Sequence, residues 1–185
     1  MKDMDSLLAQ VLAFRPNRLV PPFDLQGHIP FVAWLVKELQ PATFVQLGTQ
    51  SGNLYFAACQ TVAENSLPTR CWAVGTWQAE ELAQRHSVQQ EAGASDYNRQ
   101  HFGAFSGLLR MGDAQALPRF APGSIDLLLI DGRYSPETVR NEYESWRDRL
   151  SDHAVVLLVG IEQADSGAAV LWQQLQPQYP HLAFA

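Results

Sequence analysis

The sequence has only two cysteines, Cys59 and Cys71, too few for the disulfide framework of a small secreted domain, and no Cys/His cluster carries zinc spacing. It is also short of positive charge. Thirteen Lys and Arg stand against 19 Asp and Glu, a formal net charge of -6 with a pI near 5.3, so a nucleic-acid backbone is repelled on average and is not an expected partner. No apolar run approaches the roughly 20 residues of a membrane-spanning helix. The start, Met1-Lys2-Asp3-Met4-Asp5, lacks the basic residues that open a signal peptide, so a cytoplasmic protein without a membrane span is the expectation. There is no Gly-x-Ser-x-Gly elbow, and His86, His101, His153 and His181 have no Ser/Asp partners at triad spacing, which removes the grounds for a hydrolase triad.

What is present points to a single folded domain. A chain of 185 residues suffices for one hydrophobic core, and 46% apolar with 17% charged residues argues against disorder. Leu7, Leu8, Val11, Leu12 and Phe14 recur at helical spacing and predict a short leading helix over 5–14. A second helical pattern runs from Ile29 through Phe31, Leu35 and Leu39 until Pro41 stops it. From Thr43 onward the texture changes to dense apolar runs: Phe44 to Leu47, Cys71 to Val74, Leu108 to Met111, Ile125 to Ile130 and Ala154 to Val159. Such runs suit strands buried on both faces. Helix-length stretches separate them, at Leu54 to Asn65, Ala79 to Gln90, Pro136 to Leu150 and Ala168 to Gln176. Parallel neighbours need crossovers of that length, so the predicted class is α/β, a mostly parallel open sheet flanked by helices. One domain is expected, with 1–42 as an N-terminal helical cap and 43–185 as a Rossmann-like core.

In such sheets ligands sit beyond the carboxyl ends of the strands, which directs attention to the first turn, Leu47-Gly48-Thr49-Gln50-Ser51-Gly52-Asn53. Gly48 and Gly52 allow a tight turn, with helix N-terminal N–H groups and the hydroxyls of Thr49 or Ser51 facing a ligand. A phosphate-binding P-loop would need Gly-Lys-Ser or Gly-Lys-Thr, and a dinucleotide loop would need glycine where Gln50 and Asn53 stand. A nucleoside-sulfonium loop and a purely structural strand-to-helix turn both remain open on these residues alone.

A wider set of segments bears on that choice: Gly27-His28-Ile29-Pro30-Phe31 with Trp34-Leu35, Phe44 to Gln60, and Ala73-Val74-Gly75-Thr76-Trp77-Gln78. With them come Leu109-Arg110-Met111-Gly112-Asp113-Ala114, Gly123 to Leu127, Asp131-Gly132 and Tyr143-Glu144-Ser145-Trp146. From about residue 20 to its end the chain resembles the class I S-adenosylmethionine (SAM)-dependent methyltransferases, specifically a small bacterial subfamily found near or fused to glycosyltransferases. The resemblance implies SAM at the ends of the first strands. It places Gln46, Gly48, Thr49, Ser51, Gly52, Gly75, Trp77, Asp113 and Ala114 at cofactor-binding positions, with Gln46 toward the methionine end, Asp113 toward the adenine and Trp77 packing on the cofactor. Asp131, Tyr134 and His28 fall at catalytic positions, His28 lining the cleft or capping the second helix. No metal ligand set is implied by Asp131 alone.

Several positions depart from the family pattern. Gln46 stands where an acid usually is, Gln50 where the loop's middle glycine is, and Gly75 where an acid accepts the ribose hydroxyls; Glu80 or Glu81 would have to reach in as a substitute. Tyr134 and Gly160 occupy places of polar catalytic groups, while Glu142 and Glu137 read as solvated helix charges. The family also ends its sheet with an antiparallel hairpin, of which His181-Leu182-Ala183-Phe184-Ala185 looks like the first arm alone. That tail is expected to be an apolar edge strand through which the chain could meet a protein partner or itself. Residues 79–101 are expected to form the lid that chooses the acceptor. Two functions remain: methyl transfer to an oxygen of a sugar or small glycosylated acceptor, and an inactive methyltransferase-like module that serves as a scaffold in a glycan pathway.

Overall fold

The computed structural model describes residues 11, 13–23, 25–49, 51–75, 84–131 and 134–183, with the side chains of 84–92 set aside. Five strands, β1 (Thr43–Leu47), β2 (Arg70–Val74), β3 (Ser106–Leu109), β4 (Ile125–Asp131) and β5 (Leu150–Val159), form one sheet in the order β3-β2-β1-β4-β5, and every pairing is parallel. The helices among the described residues include α1 (Ile29–Leu39), α2 (Asn53–Glu64), α3 (Gln84–His101), α4 (Asp113–Ala116), α5 (Pro136–Trp146) and α6 (Gly167–Leu175). The doubly wound architecture expected from the alternating runs is therefore the one observed.

Strand residues alternate between two cores because successive side chains point to opposite faces. Phe44, Cys71, Ala73, Leu127 and Leu129 pack with α1 and α2, joined by Ala94 and Phe102 at the end of α3. Val45, Leu47, Val74, Leu128 and Ile130 pack on the other face with α5 and with Leu171 of α6. β1 and β4 are buried along almost their whole length, which explains why their sequences are mostly apolar.

The boundaries differ from the sequence reading where polar residues lie inside an element. β3 begins at Ser106 and ends at Leu109, two residues earlier than expected, because Ser106 is buried by its own hydrogen bonds to Tyr55 and Asn98. β5 begins at Leu150, ahead of the apolar run, and its polar start is tied down by Ser151 donating to Asp126 Oδ1. α3 extends to His101, and its last turns are core rather than lid: Asn98 donates to the Ser106 carbonyl, and Tyr97 stacks edge-on against Phe56. Residues 5–10 of the expected leading helix and residues 79–83 of the expected lid lie outside the described residues.

The tail corrects another expectation. Residues 181–183 form no strand, and Leu182 is 79% exposed; 184 and 185 lie outside the described residues. The sheet edge is β5 itself, whose Val155, Val156, Leu157 and Leu158 are only partly covered.

Candidate functional site

The strand order reverses beside β1, between the β1–α2 and β4–α5 connections, which is where an open α/β sheet opens a crevice at its carboxyl end. Of the residues predicted for the site, Gly48, Gly75, Asp131 and Tyr134 lie there. Gly48 has φ +71°, and a Cβ on it would stand 3.1 Å from Cβ of Asp131 and 3.3 Å from the Tyr134 ring. Gly48, Asp131 and Tyr134 are thus one contact group, with Asp131 buried and Tyr134 43% exposed at its rim. Gly75 lies alongside, its open side facing the backbone N–H of Thr49.

Gln46 is the most informative residue of the turn. Its side chain is buried, and its Oε1 has no hydrogen-bond partner among the described residues. An unmet buried acceptor costs about 1–3 kcal/mol. It fits a ligand that brings an N–H donor, so the donor set suits the ammonium of a SAM methionine end.

The two hydroxyls of the turn do other work than expected. Thr49 Oγ1 points back to the Gln46 carbonyl at 3.5 Å, and Ser51 Oγ receives the Asn53 N–H at 3.4 Å, so both are engaged within the turn. Gly52 also has a structural reason. With φ +77° it opens α2, and a Cβ there would meet the Phe56 ring at 2.8 Å. Gly48 therefore admits the site's own side chains, whereas Gly52 admits a core ring.

Asp113 is the first residue of α4, with Gly112 in the capping position rather than Asp113 itself; Ala114 beside it is exposed. Asp113 is half-buried and hydrogen-bonds Glu142 of α5, a residue whose reading as a solvated helix charge is overturned here. Burial, followed by the charge and hydrogen bond of Asp113 and the charge of Asp131, pushes the Glu142 carboxyl up to about 8. Burial likewise raises Asp113, while the Glu142 hydrogen bond opposes that rise. Glu142 is therefore held protonated at neutral pH. Helical spacing from Val139 and Tyr143, both buried, was the signal that put Glu142 on the inner side of α5.

His28 precedes α1 in helical conformation, makes no side-chain cap bond, and keeps its Nδ1 buried without a partner. It lies on α1 rather than on the β4–α5 connection that carries Asp131 and Tyr134. Trp77, Glu80, Glu81 and Gln50 lie outside the described residues. Among the described residues no three His, Cys, Asp or Glu side chains cluster as metal ligands, and no helix is long and apolar enough to cross a membrane. A separate groove of about 430 Å³ opens beside the first residues of β1 and β2, lined by Thr43, Arg70, Trp72, Arg119 and Phe120 among others. It lies away from the glycine turn.

Comparison with known proteins supplies the family. A model described as a methyltransferase domain matches residues 45–158, the whole span from β1 to β5. The chain belongs to that family. A protein of Sinorhizobium fredii, the uncharacterized protein y4gI, is 36% identical over 97% of this chain, and the chain spans about a fifth of that relative's length. Among solved structures, a methyltransferase from Geobacter sulfurreducens superposes with a TM-score of 0.57 at 14% identity, over 96% of this chain and 81% of its own. The SAH-bound methyltransferase PaMTH1 of Podospora anserina gives 0.56 at 15% identity, over 86% and 64%. The O-methyltransferase TomG of Streptomyces achromogenes, solved with SAM, gives 0.50 at 16% identity, over 98% and 73%. These likenesses establish the class I methyltransferase fold of the domain.

Proposed function

We propose that this methyltransferase domain binds SAM at the carboxyl ends of β1, β2 and β3 and transfers its methyl group to an oxygen of a small acceptor, a sugar or glycosylated compound being the class we favour. The unmet Gln46 Oε1 carries this reading, because it leaves a buried acceptor at the first turn of a methyltransferase fold, where a donor is required. In this reading Gln46 receives the methionine ammonium, Gly48 lets the chain pass close to the ligand, Gly75 lies beside the ribose, and Asp113 accepts from the adenine amino group. SAM brings an activated methyl on a sulfonium, so what the protein must add is chiefly proximity and alignment of the acceptor. Asp131, buried under the turn beside Gly48, is the group placed to orient an acceptor hydroxyl, with Tyr134 at the rim. SAM-bound and SAH-bound structures of the same fold support the reading.

Calorimetry of the native chain with S-adenosylhomocysteine tests it. Binding in the micromolar range is expected. Absence of binding at millimolar ligand would overturn it and leave the scaffold reading, which Gly75 favours by withholding a carboxylate from the ribose.

A further inference from the structure

The stretch that precedes α1 is strapped onto the cofactor turn. Asn53, the first residue of α2, uses its side-chain amide on both backbone groups of Val20: Oδ1 accepts from the Val20 N–H at 3.1 Å, and Nδ2 donates to the Val20 carbonyl at 2.7 Å. Gln60, two turns on, accepts from the Asn17 N–H at 2.8 Å and donates to the Arg15 carbonyl at 3.0 Å. Between these anchors Arg18 reaches in. Its Nη1 donates to the carbonyl of Ser51 at 2.6 Å, and its guanidinium lies over the rings of Phe56 at 4.9 Å and Tyr97 at 5.6 Å. The same Nη1 would be 3.6 Å from a Cβ on Gly52.

The energetics favour a fixed turn. A cation over aromatic faces is attracted to them, and more strongly when desolvated. A guanidinium keeps its plane and donor directions while it does so, which an ammonium does not. A charge-assisted bond of this kind is stronger than one between neutral groups. It is spent on a single carbonyl in a turn whose neighbouring residue, Gly52, has unusual freedom to move because it lacks a side chain.

We propose that Arg18 is a positioning residue that locks the Ser51–Gly52 half of the turn in the geometry that receives the methionine portion of the cofactor. The inference rests on the SAM reading above and concerns which part of the ligand the strap serves. Arg18 touches the loop rather than the reacting atoms. Its loss therefore weakens recognition of the amino-acid half and leaves recognition of the nucleoside half in place.

The test compares two ligands on the full chain: S-adenosylhomocysteine, and 5′-methylthioadenosine, which keeps the nucleoside thioether and lacks the amino acid. Arg18→Met is expected to weaken S-adenosylhomocysteine at least tenfold, about 1.4 kcal/mol, and 5′-methylthioadenosine less than threefold. Arg18→Lys, which keeps the charge but not the planar fork, recovers only a minor part of the loss. Tyr97→Leu, which removes one of the two rings beside the guanidinium, gives a several-fold loss for S-adenosylhomocysteine alone and serves if Arg18→Met does not fold. Equal losses for the two ligands, or native S-adenosylhomocysteine affinity in both variants, would overturn the proposal. Failure of the native chain to bind either ligand would instead remove the cofactor reading and this inference with it.

Discussion

Gly75 and Glu142 are the residues at which chemistry and sequence reading part most clearly. The acid that would hold a ribose is absent at Gly75, and the structure leaves space for one: among the described residues a Cβ there meets only the Thr49 nitrogen, at 3.7 Å. Gly75→Asp should therefore fold normally and tighten S-adenosylhomocysteine about tenfold or more, the worth of a charge-assisted contact, read by calorimetry. An unchanged affinity in a folded variant would mean that the ribose does not dock there. Glu142 works in the opposite sense, as an acid that burial keeps protonated. Its carboxyl titrates near 8 in the folded chain against about 4.3 in an unfolded one. The stability it contributes is present below the unfolded value and is lost as pH rises through 8. Glu142→Gln should flatten that loss, so that native and variant melting temperatures diverge in the variant's favour between pH 4.5 and 8. Parallel curves would show that Glu142 is not held protonated. The sequence hid this residue because a carboxylate on a helix looks solvated until the helix's buried face is known.

At the scale of elements, strands were legible where they are buried on both faces and blurred where polar residues join them. Phe44 to Leu47 and Ile125 to Ile130 declared β1 and β4, since central parallel strands, buried on both faces, are mostly apolar. Ser106 and Ser151 concealed the starts of β3 and β5, because their polarity is met by partners distant in sequence, Tyr55 and Asn98 for one and Asp126 for the other. The close approach of α5 and α6 was equally hidden. Gly167 opens α6 with its N–H donated to the Tyr134 carbonyl at 3.1 Å, and a Cβ on it would press on Val139 and stand 2.7 Å from the Tyr134 carbonyl oxygen. Gly167→Ala should cost about 1–3 kcal/mol by overpacking, measured by thermal or urea unfolding. Gly27→Ala, where a Cβ meets nothing within 4 Å among the described residues, is the control expected to change little. Comparable unfolding of the two variants would contradict this packing. The Tyr134 backbone is what α6 holds, so the first change also loosens the rim of the candidate site.

For the molecule as a whole, alternation of apolar runs and helix-length gaps was enough to read the sheet, its parallel sense and the end at which a ligand belongs, because topology follows from burial and crossover length. The site was legible only in part. Gly48 was found from its place after β1, and Gln46 and Asp131 through the family resemblance, whereas the strap through Arg18 and Asn53 and the Asp113–Glu142 pair depend on contacts between residues tens of positions apart, which no local pattern encodes. The central claim is that these distant pieces surround one nucleoside-sulfonium pocket at the carboxyl ends of the strands. A crystal structure of the chain with S-adenosylhomocysteine tests it most directly. The account predicts the ligand's amino group within hydrogen-bond distance of Gln46 Oε1 and its adenine beside Asp113. Ligand bound instead in the groove between Arg70 and Arg119, or a Gln46 side chain still unmet beside bound ligand, would contradict it.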